Sequence, residues 1–96
     1  GLDLLAFVFV GWSEPAVEQR FLARVADEAA VLECHHVTGS WNYLLKVRVR
    51  NTRGLEAFLA AVVKSVEGIE RTETIIALSS PKETTALATD PPEWGG

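Results

Sequence analysis

The chain divides by the spacing of its apolar positions. Residues 4–10, LLAFVFV, form an unbroken apolar run of strand length, and a run without alternation marks a strand covered on both faces. The break GWSEP follows, and its Pro15 suits the first turn of a helix with Ser13 or Glu14 as cap. Over 15–28, Val17, Phe21, Leu22 and Val25 recur at helical spacing, while Glu18, Arg20, Arg24 and Asp27 take the other side. Two further strands are predicted over 30–37 and 43–50. In the second, Leu45, Val47 and Val49 alternate with Lys46, Arg48 and Arg50. Asn51 or Thr52 then caps a second helix, whose apolar stripe is Leu55, Phe58, Leu59, Val62, Val63 and Val66 and whose end is Gly68. Residues 71–78, RTETIIAL, are the fourth strand. From there on Pro, Thr, Glu and Gly dominate, which predicts a mobile tail or a docking arm over 81–96.

The order βαββαβ is the split, ferredoxin-like arrangement of an α+β domain. Two helices cover one face of a four-stranded antiparallel sheet, and nothing in the chain remains to cover the other. Residues 4–10 are apolar on both sides, so the bare face carries hydrophobic groups, and such a patch marks an interface. The expectation is a homodimer joined sheet to sheet, an α+β sandwich of closed symmetry.

Composition bounds the rest. At 96 residues the chain holds one domain, placed over 1–80, with the tail over 81–96. No apolar run approaches the roughly 20 residues of a membrane-spanning helix. Residues 4–10 also lack the basic leader and cleavage pattern of a signal peptide. The single cysteine, Cys34, excludes an internal disulfide framework, fits a reducing, cytoplasmic setting and reads as a small buried strand residue. A net charge of −4 argues against non-specific nucleic-acid binding by this chain alone. The absence of methionine, with the abrupt strand-like start at Leu2, favours a piece of a longer protein over a processed initiator.

Three stretches carry candidate chemistry. Gly39, Ser40, Trp41 and Asn42 join the second and third strands: glycine permits positive φ and close approach of a ligand, and consecutive amides of a turn make a concavity suited to a carboxylate. The same residues also make an ordinary hairpin turn, with Trp41 packed on the sheet edge. Thr72 and Thr74 share one face of the last strand, where two hydroxyls could hold an amino group or a carboxylate, although threonine is also simply a good strand former. In ECHH, Glu33 and His35 share a face opposite Cys34 and His36. Adjacent histidines on a strand diverge and no third histidine exists, so no metal site is expected. The alternating Lys46, Arg48 and Arg50 suit either a phosphate ridge or a solvated strand face. There is no phosphate loop, nucleophile elbow or partnered carboxylate pair to argue for catalysis.

VLECHHVTGSWNYLLKVRV, then a helix, then VEGIERTETIIAL, resembles the effector-binding, oligomerising domain of the Lrp/AsnC (feast/famine) transcription regulators over about residues 1–80. The most specific part is Val-(Ser/Thr)-Gly-x-aromatic-acid between two strands, matched by Val37, Thr38, Gly39 and Trp41 and continued by Tyr43, Leu44 and Leu45. Gly68 and Ile69 match the helix exit, and Thr72 and Thr74 the threonines of the last strand. The resemblance implies a domain that dimerises through its sheets and assembles into rings, an octamer being typical. Free amino acids such as leucine, asparagine or lysine bind between dimers. It assigns the effector site to Gly39, Ser40, Trp41, Asn42, Thr72 and Thr74, with no cofactor, no catalysis and no membrane partner. The family commonly has Asp where this chain has Asn42, which removes a natural partner for the ligand's ammonium group. The family's helix-turn-helix is absent from the sequence, so this chain is not expected to bind an operator. Two other classes fit the fold order more loosely. One is a small dimeric enzyme, a cofactor-free monooxygenase or haem-binding protein using His35, Trp41 or Asn42. The other is an assembly domain whose loop is only a turn.

Overall fold

The computed structural model describes residues 3–83, so the tail expected over 81–96 lies outside the described residues from 84 onward. The elements run β1 (Leu4–Gly11), α1 (Val17–Ala26), β2 (Val31–His36), β3 (Tyr43–Val49), α2 (Thr52–Phe58) and β4 (Arg71–Ile76). Between α2 and β4 the helix continues as a π-helical turn, Leu59–Val63, closed by the Lys64 N–H donating to Leu59 O at 2.8 Å. The sheet order is β2-β3-β1-β4 with every pair antiparallel, the expected ferredoxin-like βαββαβ fold. Among the described residues no helix is long and apolar enough to cross a membrane.

The core forms where the strand period of two meets the helix stripes. Ala6, Val8 and Val10 of β1 are fully buried beside Tyr43, Leu45 and Val47 of β3. Val17, Phe21 and Val25 of α1 close over them, with Phe58, Val62, Val63 and Val66 from the second helical segment. Burying each such side chain stabilises the fold by about 1.5–3 kcal/mol. Trp12, Phe21 and Tyr43 form an aromatic cluster with ring centroids 5.2, 5.4 and 5.7 Å apart.

The other face of β1 differs from the expectation of a strand covered on both sides. Within one chain Leu5, Phe7 and Phe9 are only half-buried. Phe7 lies between Lys46 and Ile75, and Phe9 between Leu44 and Glu73, all on the face away from the helices.

The helix starts divide. Asn51 caps α2 as expected, its Oδ1 accepting from the Gly54 N–H at 2.8 Å. Neither Ser13 nor Glu14 caps α1 through its side chain: the Glu14 and Pro15 carbonyls accept from the Val17 and Glu18 N–H groups, and α1 begins at Val17. Ser13 Oγ instead donates to Glu70 Oε1 at 2.8 Å, tying the β1 exit to the entry of β4.

Cys34 is exposed rather than buried. It lies on β2, an edge strand whose pairing slips at a bulge between Val31 and Glu33, and Val31 is the residue of that strand that packs on the core. Between α1 and β2 an apolar groove of about 400 Å³ stays open, leaving Leu22 and Leu32 exposed at its walls. The groove still removes enough water from the sulfur to push the Cys34 thiol pKa up, the opposite of an activated nucleophile.

Candidate functional site

The β2–β3 connection is a tight loop whose base is closed by the Val37 N–H donating to Asn42 O at 3.1 Å. Gly39 sits at its tip with φ +98°, a conformation a side chain would strain, and open space surrounds it. Asn42 anchors the loop to the end of β1 and to the residue that follows it. Its N–H donates to Val10 O at 2.8 Å, and its Oδ1 accepts from the Trp12 N–H at 2.7 Å. The amide oxygen of a candidate ligand residue is therefore engaged in holding the loop.

Trp41 packs over the open sheet face rather than on its edge. Its ring lies 5.6 Å from Phe9, and the Arg71 guanidinium sits 4.8 Å from the indole centroid on β4's side. Arg71 Nη2 also donates to Ser40 O, so one side chain clamps both residues of the loop tip. The reach depends on Gly11, the partner of Arg71 in the β1–β4 register. A Cβ there would meet the guanidinium at 2.7 Å. Arg71 and Gly11 are the residues that sequence reasoning missed. A glycine at a strand end is the available signal, because it marks close approach of another group.

The two threonines do not join this clamp. Thr72 pairs with Val10 and Thr74 with Val8, so both hydroxyls lie on the helix-covered side while Trp41 and Arg71 lie on the open side. Of the six predicted site residues, Trp41 lies over the open face and Thr72 and Thr74 on the helix-covered one, while Gly39 forms the loop tip and Asn42 ties the loop's base to Val10 and Trp12. The loop and the threonines sit near one end of the sheet. There, two hollows flank the Ser13–Glu70 hydrogen bond. One, of about 230 Å³, is lined by Lys64, Ile69, Glu70, Arg71 and Thr72; the other, of about 250 Å³, by Trp12, Ser13, Pro15, Glu18 and Asn42. Beside the second, Tyr43 Oη donates to Glu18 Oε2 at 2.8 Å, and His36 stacks on the Tyr43 ring at 4.7 Å. Burial, then the carboxylate it donates to, pushes the Tyr43 pKa up to about 12, so its hydroxyl remains a donor throughout the neutral range.

At the far edge of the open face Glu33 accepts from Lys46 Nζ at 3.3 Å and pairs with His35 Nε2 at 2.8 Å, and the His35 and Lys46 contacts hold its carboxyl below the usual carboxylate range.

This fold and loop have a known counterpart: the Lrp/AsnC ligand binding domain model matches residues 5–87. The chain belongs to that family. Among curated relatives, the proline dehydrogenase transcriptional activator of Rhizobium radiobacter is 36% identical over 87 residues, covering 88% of this chain and 55% of that protein. This Lrp/AsnC domain thus spans about half the length of the curated relatives it matches, and those relatives are transcription regulators. Among solved structures, Escherichia coli AsnC superposes with a TM-score of 0.81 at 26% identity, over 90% of this chain and 58% of that one. A Neisseria meningitidis transcriptional regulator solved with L-methionine superposes with a TM-score of 0.80 at 27% identity, over 88% and 56%.

Proposed function

We propose that this Lrp/AsnC domain senses a free amino acid and passes the signal on through its state of assembly, as the effector module of a transcription regulator and not as an enzyme. Copies join through the open sheet face into dimers, and dimers join further, up to an octamer. The effector is held by Gly39, Ser40, Trp41 and Asn42 together with Thr72 and Thr74, at a contact between copies. Complex formation between a relative of the same fold and L-methionine supports the ligand class.

The observation that carries this reading is that Trp41 lies on the open sheet face while Thr72 and Thr74 lie on the helix-covered face near the same end of the domain. Two half-sites that face apart in one chain are completed by juxtaposing copies, and a ligand bound across copies stabilises the assembled form over the separate one. Such differential binding is what coupling requires; equal affinity for both forms would shift nothing. A second reading, assembly without a ligand, draws on the loop's own packing: Trp41 lies between Phe9 and Arg71, and the Asn42 oxygen is engaged by Trp12.

Thermal unfolding and light-scattering mass against each of the twenty amino acids separate the two readings, with Ser40→Ala and Thr74→Val beside the wild type. Both variants spare Asn42, whose truncation would loosen the loop for reasons unrelated to a ligand. At about 100 times its dissociation constant a ligand adds roughly 2.7 kcal/mol to stability. A shift with one or a few amino acids, accompanied by a change in mass and weakened in both variants, is expected. No shift and no change in mass with any of them would leave the loop a turn and the domain an assembly device.

A further inference from the structure

The hollow lined by Trp12, Ser13, Pro15, Glu18 and Asn42 contains a carboxylate that the six residues above do not include. We propose that Glu18 receives the ammonium end of the effector there, with Trp12 and Asn42 as the walls of that subsite. This rests on the amino-acid reading of the site and names the charged group it still lacks.

A free amino acid is a zwitterion. Its ammonium group, once partly withdrawn from water, requires hydrogen-bond acceptors, and an ionised acceptor serves best. Residues 38–42 include no acidic side chain, and the Thr72 and Thr74 hydroxyls are neutral. Glu18 reaches the hollow from the first turn of α1 and is itself only partly buried, so its carboxylate is open to a ligand. Its position is fixed. Tyr43 Oη holds Oε2 at 2.8 Å, and Tyr43 is wedged among Trp12, Phe21 and His36 at 4.7–5.7 Å between ring centroids. A carboxylate offers about four lone-pair sites, so one bond from tyrosine leaves capacity for an ammonium group. Holding it beforehand lowers the ordering cost of binding. Trp12, nearly buried and packed on Phe21 and Tyr43, gives the hollow a fixed wall. The hollow also communicates with the loop, since the Trp12 N–H is bonded to Asn42 Oδ1. A ligand seated against Trp12 therefore bears on the residue that anchors the loop to β1.

The test is calorimetric titration of the intact chain and of Glu18→Gln with each amino acid. Whichever amino acid binds is then compared with its deaminated acid, 4-methylpentanoate for leucine or 4-(methylthio)butanoate for methionine. Glutamine keeps the shape and an acceptor for Tyr43 Oη but removes the charge. Glu18→Gln is expected to weaken the amino acid by ~10- to ~100-fold, the effect of losing a hydrogen bond to a charged group, and to leave the deaminated acid unchanged. Unchanged affinity for the amino acid overturns the proposal while amino-acid sensing stands. Equal weakening of both ligands also overturns it, since Glu18 then only shapes the site. Should no amino acid bind the wild type, the sensing reading fails by itself, and methylammonium becomes the probe. Saturable ¹H–¹⁵N shifts at Trp12 and Ser13 in the wild type, absent in Glu18→Gln, would keep the ammonium subsite; their absence from the wild type would remove it. If Glu18→Gln does not fold, Glu18→Asp, which withdraws the charge by one methylene, is read in the same way.

Discussion

The two faces of β1 are built from the same kind of residue and meet different fates. Ala6, Val8 and Val10 are fully buried beneath two helices, while Leu5, Phe7 and Phe9 stay half-buried on a sheet face that the described residues leave open. Apolar pattern alone says that both faces seek cover; it does not say who supplies it. The helix face is completed by the chain's own Phe21, Phe58 and Val62. On the open face, the described side chains cover only the rim, where Trp41 lies on Phe9 and Arg71 lies on Trp41. On the reading proposed above, one face carries the stability of the single chain and the other its dealings with other molecules.

The contrast is sharpest in a pair of substitutions. Phe21→Ala, beneath the helices, removes a ring that touches both Trp12 and Tyr43, and is expected to cost about 3–5 kcal/mol in urea unfolding at any protein concentration. Phe7→Glu, on the open face, is expected to change the stability of the isolated chain by about 1 kcal/mol or less. It should nevertheless abolish the concentration dependence of unfolding and reduce the mass measured by light scattering to that of one chain. If Phe7→Glu instead unfolds the chain, or leaves the mass unchanged, the division between the faces is wrong.

At the rim the expected effects are smaller. Arg71→Ala removes the guanidinium from Trp41 and from Ser40 O and should cost about 1 kcal/mol, the range of exposed cation–π pairs. Gly11→Ala acts on the same clamp from beneath, because its new methyl would displace that guanidinium. In a strand the alanine itself is favourable by roughly 0.5–1 kcal/mol, so the two terms nearly cancel in the wild type. With Arg71 already alanine, Gly11→Ala should be stabilising. A double-mutant cycle in urea reads the difference as coupling of about 1 kcal/mol, and additive effects would show that Arg71 does not lie across Gly11 in solution.

What the sequence makes legible follows the range of the interaction. The strands, the helix stripes, the Asn51 cap and the loop at Gly39 are signalled by residues a few positions apart, and the βαββαβ order follows from them. The Arg71 clamp, the Asn42 bond to Trp12 and the Ser13 bond to Glu70 join residues 30 or more positions apart, and no local pattern announces them. Cys34 misleads for a related reason. Its strand lies at the sheet edge and slips at a bulge, so an apolar residue type ends at a solvent-facing position. For the candidate site, the alternation of β4 puts Thr72 and Thr74 on a common face. That this face is the one opposite Trp41 depends on the register between β1 and β4, a property of the folded sheet.

The smallest expected effect lies at the far edge of the open face. The His35 and Lys46 contacts to Glu33 hold its pKa in the fold below the usual glutamate value. A depressed folded pKa means that the unfolded chain binds the proton more readily. The trio's contribution is therefore present above the unfolded pKa and lost as pH falls through the folded one. All three side chains reach solvent, so the contribution is small and screened by salt. Unfolding midpoints between pH 6 and pH 3 should thus fall slightly less steeply for Glu33→Gln than for the wild type, and the difference should vanish in high salt. The same trio sharpens the comparison of faces when copies assemble. On the covered-face reading it lies at the border of the contact, where solvent is partly excluded and salt screens less. The salt sensitivity of the pH effect should then be lower at concentrations that support assembly than in the Phe7→Glu chain. Equal sensitivity in the two would place Glu33, His35 and Lys46 outside any contact and confine the interface to Leu5, Phe7, Phe9 and their immediate neighbours.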